Sequence, residues 1–87
     1  MSSKAELKDA PPQSLTVTSY DWDYRVEYLR LLDADADGAD WQEAMEIIFG
    51  LDVGADPERA RRIHDSHLAR AKWMTHTGYR HLLQPHH

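Results

Sequence analysis

From Tyr20 to Tyr28 apolar and polar residues alternate, with Tyr20, Trp22, Tyr24, Val26 and Tyr28 on one parity, a pattern that taken alone describes a strand. The run continues into Leu29, Leu31 and Leu32, which breaks the period of two and fits a helix. Trp22, Val26 and Leu29 then fall on one helical stripe, while Tyr24, Tyr28 and Leu31 form another beside it. The pattern predicts a first helix from about Asp21 to Ala34. Asp40 followed by Glu43 has the spacing of a capping box, and Trp41, Ala44, Met45 and Ile48 line one face of a second helix. That helix closes at Gly50, whose left-handed conformation lets Leu51 fold back on the last turn. Asp56 and Pro57 offer an N-cap carboxylate and a first-turn proline for a third helix reaching about Thr77. It gathers Ala60, Ile63, His67, Ala71 and Met74 on one side, with Leu68 at the margin, until Gly78 interrupts it. Tyr79, Leu82 and Leu83 form an apolar end piece expected to pack back on the bundle.

Two short helices and a longer one predict an all-α, three-helix bundle over residues 20 to 83, arranged as a helix-turn-helix. The ordinary motif joins its last two helices through about three or four residues. Gly50 to Asp56 supplies seven, so the expectation is a variant with an extended turn. Residues 1 to 19 lack the apolar centre of a signal peptide, and Pro11 and Pro12 interrupt helical structure, which predicts a mobile, disordered tail. Residues 84 to 87 are expected to fray.

A chain of 87 residues makes one small domain, with little room for a buried active site. It has no cysteine, hence neither disulfides nor thiolate metal sites, which fits a reducing cytoplasm. No apolar run approaches the roughly 18 residues of a membrane span. Charge changes the picture more. Residues 1 to 58 hold fourteen acids against four bases, whereas residues 59 to 87 hold six bases against one acid, Asp65. Two surfaces of opposite sign are expected on one body, a statement about partners and not about fold.

Candidate chemistry is sparse. Asp33, Asp35, Asp37 and Gly38 reproduce the start of an EF-hand loop, D-x-D-x-D-G, but the twelfth position, which needs a bidentate glutamate, is Ala44. An acidic solvated turn is the better reading. His64 and His67 stand three apart with Asp65 and His76 nearby, yet they do not converge on one helical face, and His67 lies within the apolar stripe as a core or boundary histidine. Ser66 between Asp65 and His67 is adjacent in sequence only, so no catalytic trio, cofactor site or metal site is assigned. Arg59, Arg62 and Arg70 on a third helix invite a DNA-binding reading, which the acids on the preceding turn and helix oppose by repelling phosphates. The two stripes of the first helix exceed what a three-helix domain covers. Tyr24, Tyr28 and Leu31 are therefore candidates for a partner-docking patch, unless the N-terminal tail or the Tyr79 to Leu83 segment covers them. The flank of the third helix around Arg70 and Trp73 is next in line.

The blocks YLRLLDADADGADW from Tyr28, RARR from Arg59, SHLARAKWMT from Ser66 and GYRHLL from Gly78 resemble the QseM-type antiactivators, over about residues 20 to 83. That proteobacterial domain family is regarded as an extended-turn variant of helix-turn-helix. Some of its members are the DNA-binding half of a two-domain activator of conjugative element excision, with a positive DNA-facing surface. Stand-alone acidic members look like antiactivators that occupy the activator's other domain and also restrain a LuxR-type quorum-sensing activator. The resemblance implies a non-enzymatic, cytoplasmic antiactivator that binds transcriptional activators, with no DNA, membrane or small-molecule ligand of its own. A small DNA-binding regulator using Arg59, Arg62 and Arg70 is the alternative, and a calcium-responsive interaction module comes third. The resemblance assigns no docking residue; those named above come from the helical pattern.

Overall fold

Thr18 begins the helical part of the chain. Its hydroxyl accepts from the Asp21 backbone N–H (3.2 Å), and the Asp21 carboxylate accepts from the Thr18 backbone N–H (2.9 Å), a reciprocal cap. The structure, a computed structural model, describes residues 4–77, and within them all regular structure is helical. Helix α1 spans Ser19–Asp23 and α2 spans Arg25–Ala36. The single first helix expected from the sequence is thus interrupted at Tyr24, whose φ of −105° and ψ of 16° leave the helical range. Helix α3 spans Trp41–Phe49 and α4 spans Pro57–His76. The expected end piece after Gly78 and the terminal residues 84–87 lie outside the described residues.

The turn chemistry follows the sequence in two places and departs from it in a third. Gly50 adopts φ 64°, and the Leu51 N–H reaches back to the Met45 carbonyl (3.4 Å), closing α3 as expected. The Asp56 carboxylate accepts from the Arg59 N–H (3.1 Å), with Pro57 at the first helical position. At the start of α3 the capping box does not form: Asp40 makes no side-chain cap bond, and its carboxylate and that of Glu43 border the groove described below. Seven residues, 50 to 56, separate α3 from α4.

Helices α2, α3 and α4 each pack against the other two. One part of the core joins Tyr20, Tyr24 and Tyr28 to Ala71 and Met74; the other joins Leu31, Met45, Val53, Ala60, Ile63 and Leu68. Leu7, Leu32 and Phe49 touch both. His67 stands between the aromatic rings, 5.8 Å from Tyr20 and from Phe49 and 6.3 Å from Tyr24 and Tyr28 between centroids.

The expected mobile tail needs correcting for its described part. Residues 4–18 form no helix but run as a strap along α1, α2 and α4. The Ala5 carbonyl accepts from the Tyr24 hydroxyl (2.6 Å), and the Lys8 N–H donates to the Tyr20 hydroxyl (3.1 Å). The Asp9 carbonyl accepts from the Ser66 hydroxyl (2.9 Å), and the Ser14 and Thr16 carbonyls accept from the Arg70 guanidinium (2.6 and 3.0 Å). A strap without internal secondary structure must satisfy its backbone through side chains of other elements, and tyrosine, serine and arginine supply the partners.

Candidate partner-binding surface

The residues assigned to docking from the helical pattern do not lie on the surface. Tyr24, Tyr28 and Leu31 are buried, at 5%, 0% and 1% exposure, partly beneath the strap. Their spacing of four and three residues lays them, with Tyr20, on the face of α1 and α2 turned toward α4. The stripe left outside is the other one: Trp22 is 42% and Val26 50% exposed, with the Arg25 guanidinium over the Trp22 ring at 4.3 Å. Spacing does not separate the two stripes, since Trp22, Val26 and Leu29 recur at the same four and three residues as Tyr24, Tyr28 and Leu31. A two-stripe count has no means of ranking one stripe above the other without knowing what the strap covers.

Arg70 is likewise withdrawn from solvent, at 6% exposure. Its Nε donates to Asp21 Oδ1 (3.0 Å) and its Nη2 to Asp21 Oδ2 (2.7 Å), a two-pronged ion pair. The fully buried Asp21 also accepts from the Tyr28 hydroxyl (2.9 Å) and the Thr18 hydroxyl (3.0 Å). Burial alone would raise the Asp21 pKa, but the bonds from Arg70, Thr18 and Tyr28 outweigh it and hold the carboxyl below its ordinary value. Arg70 also stacks on Trp73 at 3.9 Å, and the two line a crevice of about 320 Å³ where the strap crosses α4. Arg70 and Trp73 thus come together, as Tyr24 and Tyr28 do in the core.

The cations of the basic helix are paired within the chain, five of them sharing four carboxylates. Arg59 pairs with Asp9 at 2.8 Å, and Arg62 approaches the same carboxylate at 3.8 Å. Arg61 pairs with Asp65 (3.1 Å), Arg70 with Asp21 (2.7 Å) and Lys72 with Asp35 (3.3 Å). All five lysines and arginines of α4 therefore face a carboxylate.

The histidines and the acidic turn do not assemble a site either. Burial pushes the His67 imidazole below its ordinary pKa, so the ring is neutral. Its Nδ1–H donates to the Ile63 carbonyl (2.7 Å), which leaves Nε2 to accept from the Tyr20 hydroxyl (2.7 Å). His67 is a core histidine, as expected. His64 pairs with Asp65 (2.8 Å), and His76 is exposed in the last turn of α4. Asp33 and Asp35 belong to α2, where residues two apart point in different directions, so the EF-hand-like start is not a loop. Among the described residues no group of three or more His, Asp or Glu is placed to hold a metal.

One surface feature escaped the sequence reading. Between α2 and α3 lies an open groove of about 420 Å³ with Ala34, Ala39, Ala44, Ile47 and Ile48 among its lining. Gly38, at φ 71°, turns the chain so that the Ala39 N–H bonds the Ala34 carbonyl (2.9 Å), which sets the two alanines side by side at one end. Asp33, Asp40 and Glu43 line it with Arg30. Asp33 sits in the last turn of α2, against the helix dipole, at a cost of about 0.3–1 kcal/mol. Comparison with family models and with curated proteins finds no match to this chain.

Proposed function

We propose that this chain is a non-enzymatic antiactivator that binds transcriptional activators and blocks activation of horizontal transfer, as its resemblance to the QseM-type proteins implies. The partners would be a two-domain activator of conjugative element excision and a LuxR-type quorum-sensing activator, met in the cytoplasm. The all-helical body and the seven residues between α3 and α4 support a helix-turn-helix variant with an extended turn. The observation that carries the proposal is the pairing of all five α4 cations with carboxylates of the same chain. A protein shaped like a DNA-binding domain whose basic-helix cations are already paired with carboxylates can take that domain's place against a partner while offering phosphates little to bind. Arg70, one of the three arginines the DNA-binding alternative requires, is buried, and the other two share Asp9.

The test is co-expression of the full chain with candidate activators, followed by co-purification and a transfer-promoter reporter. The expected result is a stable complex and reduced reporter output. A gel shift with promoter DNA at low and physiological salt accompanies it. A site preference that survives physiological salt would overturn the proposal in favour of a DNA-binding regulator.

A further inference from the structure

We infer that the groove between α2 and α3 is the surface on which a protein partner docks an amphipathic helix whose apolar face is flanked by lysine and arginine. The inference deepens the antiactivator reading, on which it rests for the partner being an activator. Ile47 is 70% exposed in the middle of α3, although Ala44 and Met45 beside it are buried and Ile48 is half-buried. A large β-branched side chain left in water on a small domain, beside the apolar lining formed by Ala34, Ala39, Ala44 and Ile48, is a surface awaiting cover.

Charge selects what covers it. Asp33, Asp40 and Glu43 border the groove and take part in no ion pair among the described residues, whereas Asp9, Asp21, Asp35 and Asp65 are all spent on α4. Arg30 offsets one of the three, and the rim stays negative. A second copy of this chain placed symmetrically would set like charges against each other, and nucleic acid would be repelled outright. An uncharged apolar helix would fill the floor but desolvate the carboxylates without partners. A helix with apolar residues at i, i+3, i+4 and i+7 and basic residues on its flanks satisfies both floor and rim.

The experiment is an amide-resolved NMR titration of the full chain with two designed helical peptides sharing one leucine face, one flanked by lysines and the other by glutamates. The lysine peptide is expected to shift Ala34, Ala39, Ala44, Ile47 and Ile48, to bind at least about tenfold more tightly than the glutamate peptide, and to weaken as salt rises. Ile47→Asp and Glu43→Lys, both at solvent-facing positions, should each reduce that binding by about tenfold while the rest of the spectrum is retained. Equal binding of the two peptides, or shifts confined to other faces, overturns the inference. So does a concentration-dependent shift of groove signals without peptide, which would assign the groove to a second copy. Groove signals that move in the full-length L82S/L83S variant would assign it to the chain's own end and overturn the inference as well. Where the wild-type chain captures an activator and the groove variants capture it equally well, the groove inference falls and the antiactivator reading stands. Where the lysine peptide binds the groove but no activator is captured, the reverse holds.

Discussion

Arg70 and Asp21 are 49 residues apart in sequence and share a hydrogen-bonded ion pair in the interior. Removing one partner of such a pair leaves the other charged and buried. Arg70→Met is expected to lower stability by about 3–5 kcal/mol, measured by urea denaturation, and Asp21→Asn in the same background should cost less than it does alone. The pair also sets an acid limit. Asp21 is held below the ordinary carboxyl range, so its contribution is fully present above the unfolded pKa of about 3.9 and is lost as pH falls through the lower folded value. His67 acts at higher pH. Its folded pKa is depressed, so stability is constant well above the unfolded value of about 6.5 and declines as pH drops below it. Denaturation midpoints should therefore be flat from about pH 7 to 8 and fall below about pH 6.5; a His67→Gln variant should lose the part of that fall above about pH 5. The tyrosines give a third check. Tyr28→Ala and Tyr24→Ala should destabilise by about 3–5 kcal/mol, comparable with the 2–5 expected for Ile63→Ala, and calorimetry on the three variants would contradict the burial assigned here if the tyrosine variants melted like wild type.

At the scale of elements, termini and turns decide more than periodicity. The reciprocal cap belongs to Thr18 and Asp21, and the same spacing at Asp40 and Glu43 leaves the backbone uncapped. Asp21 is held in its capping position by Arg70 and Tyr28, whereas the Asp40 carboxylate borders an open groove. Gly50 illustrates a cost that is purely conformational: at φ 64° no heavy atom would lie within 4 Å of an added Cβ. Gly50→Ala is expected to lower the thermal midpoint through about 1 kcal/mol of left-handed strain, without a cavity or a clash. An unchanged midpoint would mean that α3 ends differently. The strap makes the opposite point. It has no helix of its own, yet its Leu7 touches both parts of the core and its carbonyls are what the Tyr24 hydroxyl and Arg70 bond.

For the whole molecule, the segregation of charge along the chain does not translate into two bare faces of opposite sign. Carboxylates from residues 1 to 58 fold onto the basic helix through Asp9, Asp21 and Asp35, and of the surplus acids Asp33, Asp40 and Glu43 gather beside the α2–α3 turn. The surplus carboxylates do not make a calcium site, because α2 continues through Ala36 and separates Asp33 from Asp35 in direction. Sub-millimolar calcium is accordingly expected to leave the thermal midpoint where equimolar magnesium leaves it. A calcium-specific rise of several degrees would show a site there. No helix among the described residues is long and apolar enough to cross a membrane.

Local rules were sufficient for much of this. The three longer helices, the glycine end of α3, the Asp56–Pro57 start of α4, the seven-residue connection and the core role of His67 were legible because each depends on residues within one or two turns of itself. The break at Tyr24, the place of the strap, the burial of Tyr24, Tyr28 and Leu31 and the withdrawal of Arg70 were not. Each of the last three depends on what lies opposite across 19 to 56 residues of chain, as with Tyr24 and Ala5 or Arg70 and Ser14. Hydrophobic periodicity tells which residues share a face, but burial is a property of two surfaces, and the second surface here is a segment with no periodicity to announce it. The groove belongs to the same class: the sequence holds Ile47 in a helical pattern, and only the packing of α2 beside α3 leaves it facing water in a groove whose carboxylates form no ion pair among the described residues.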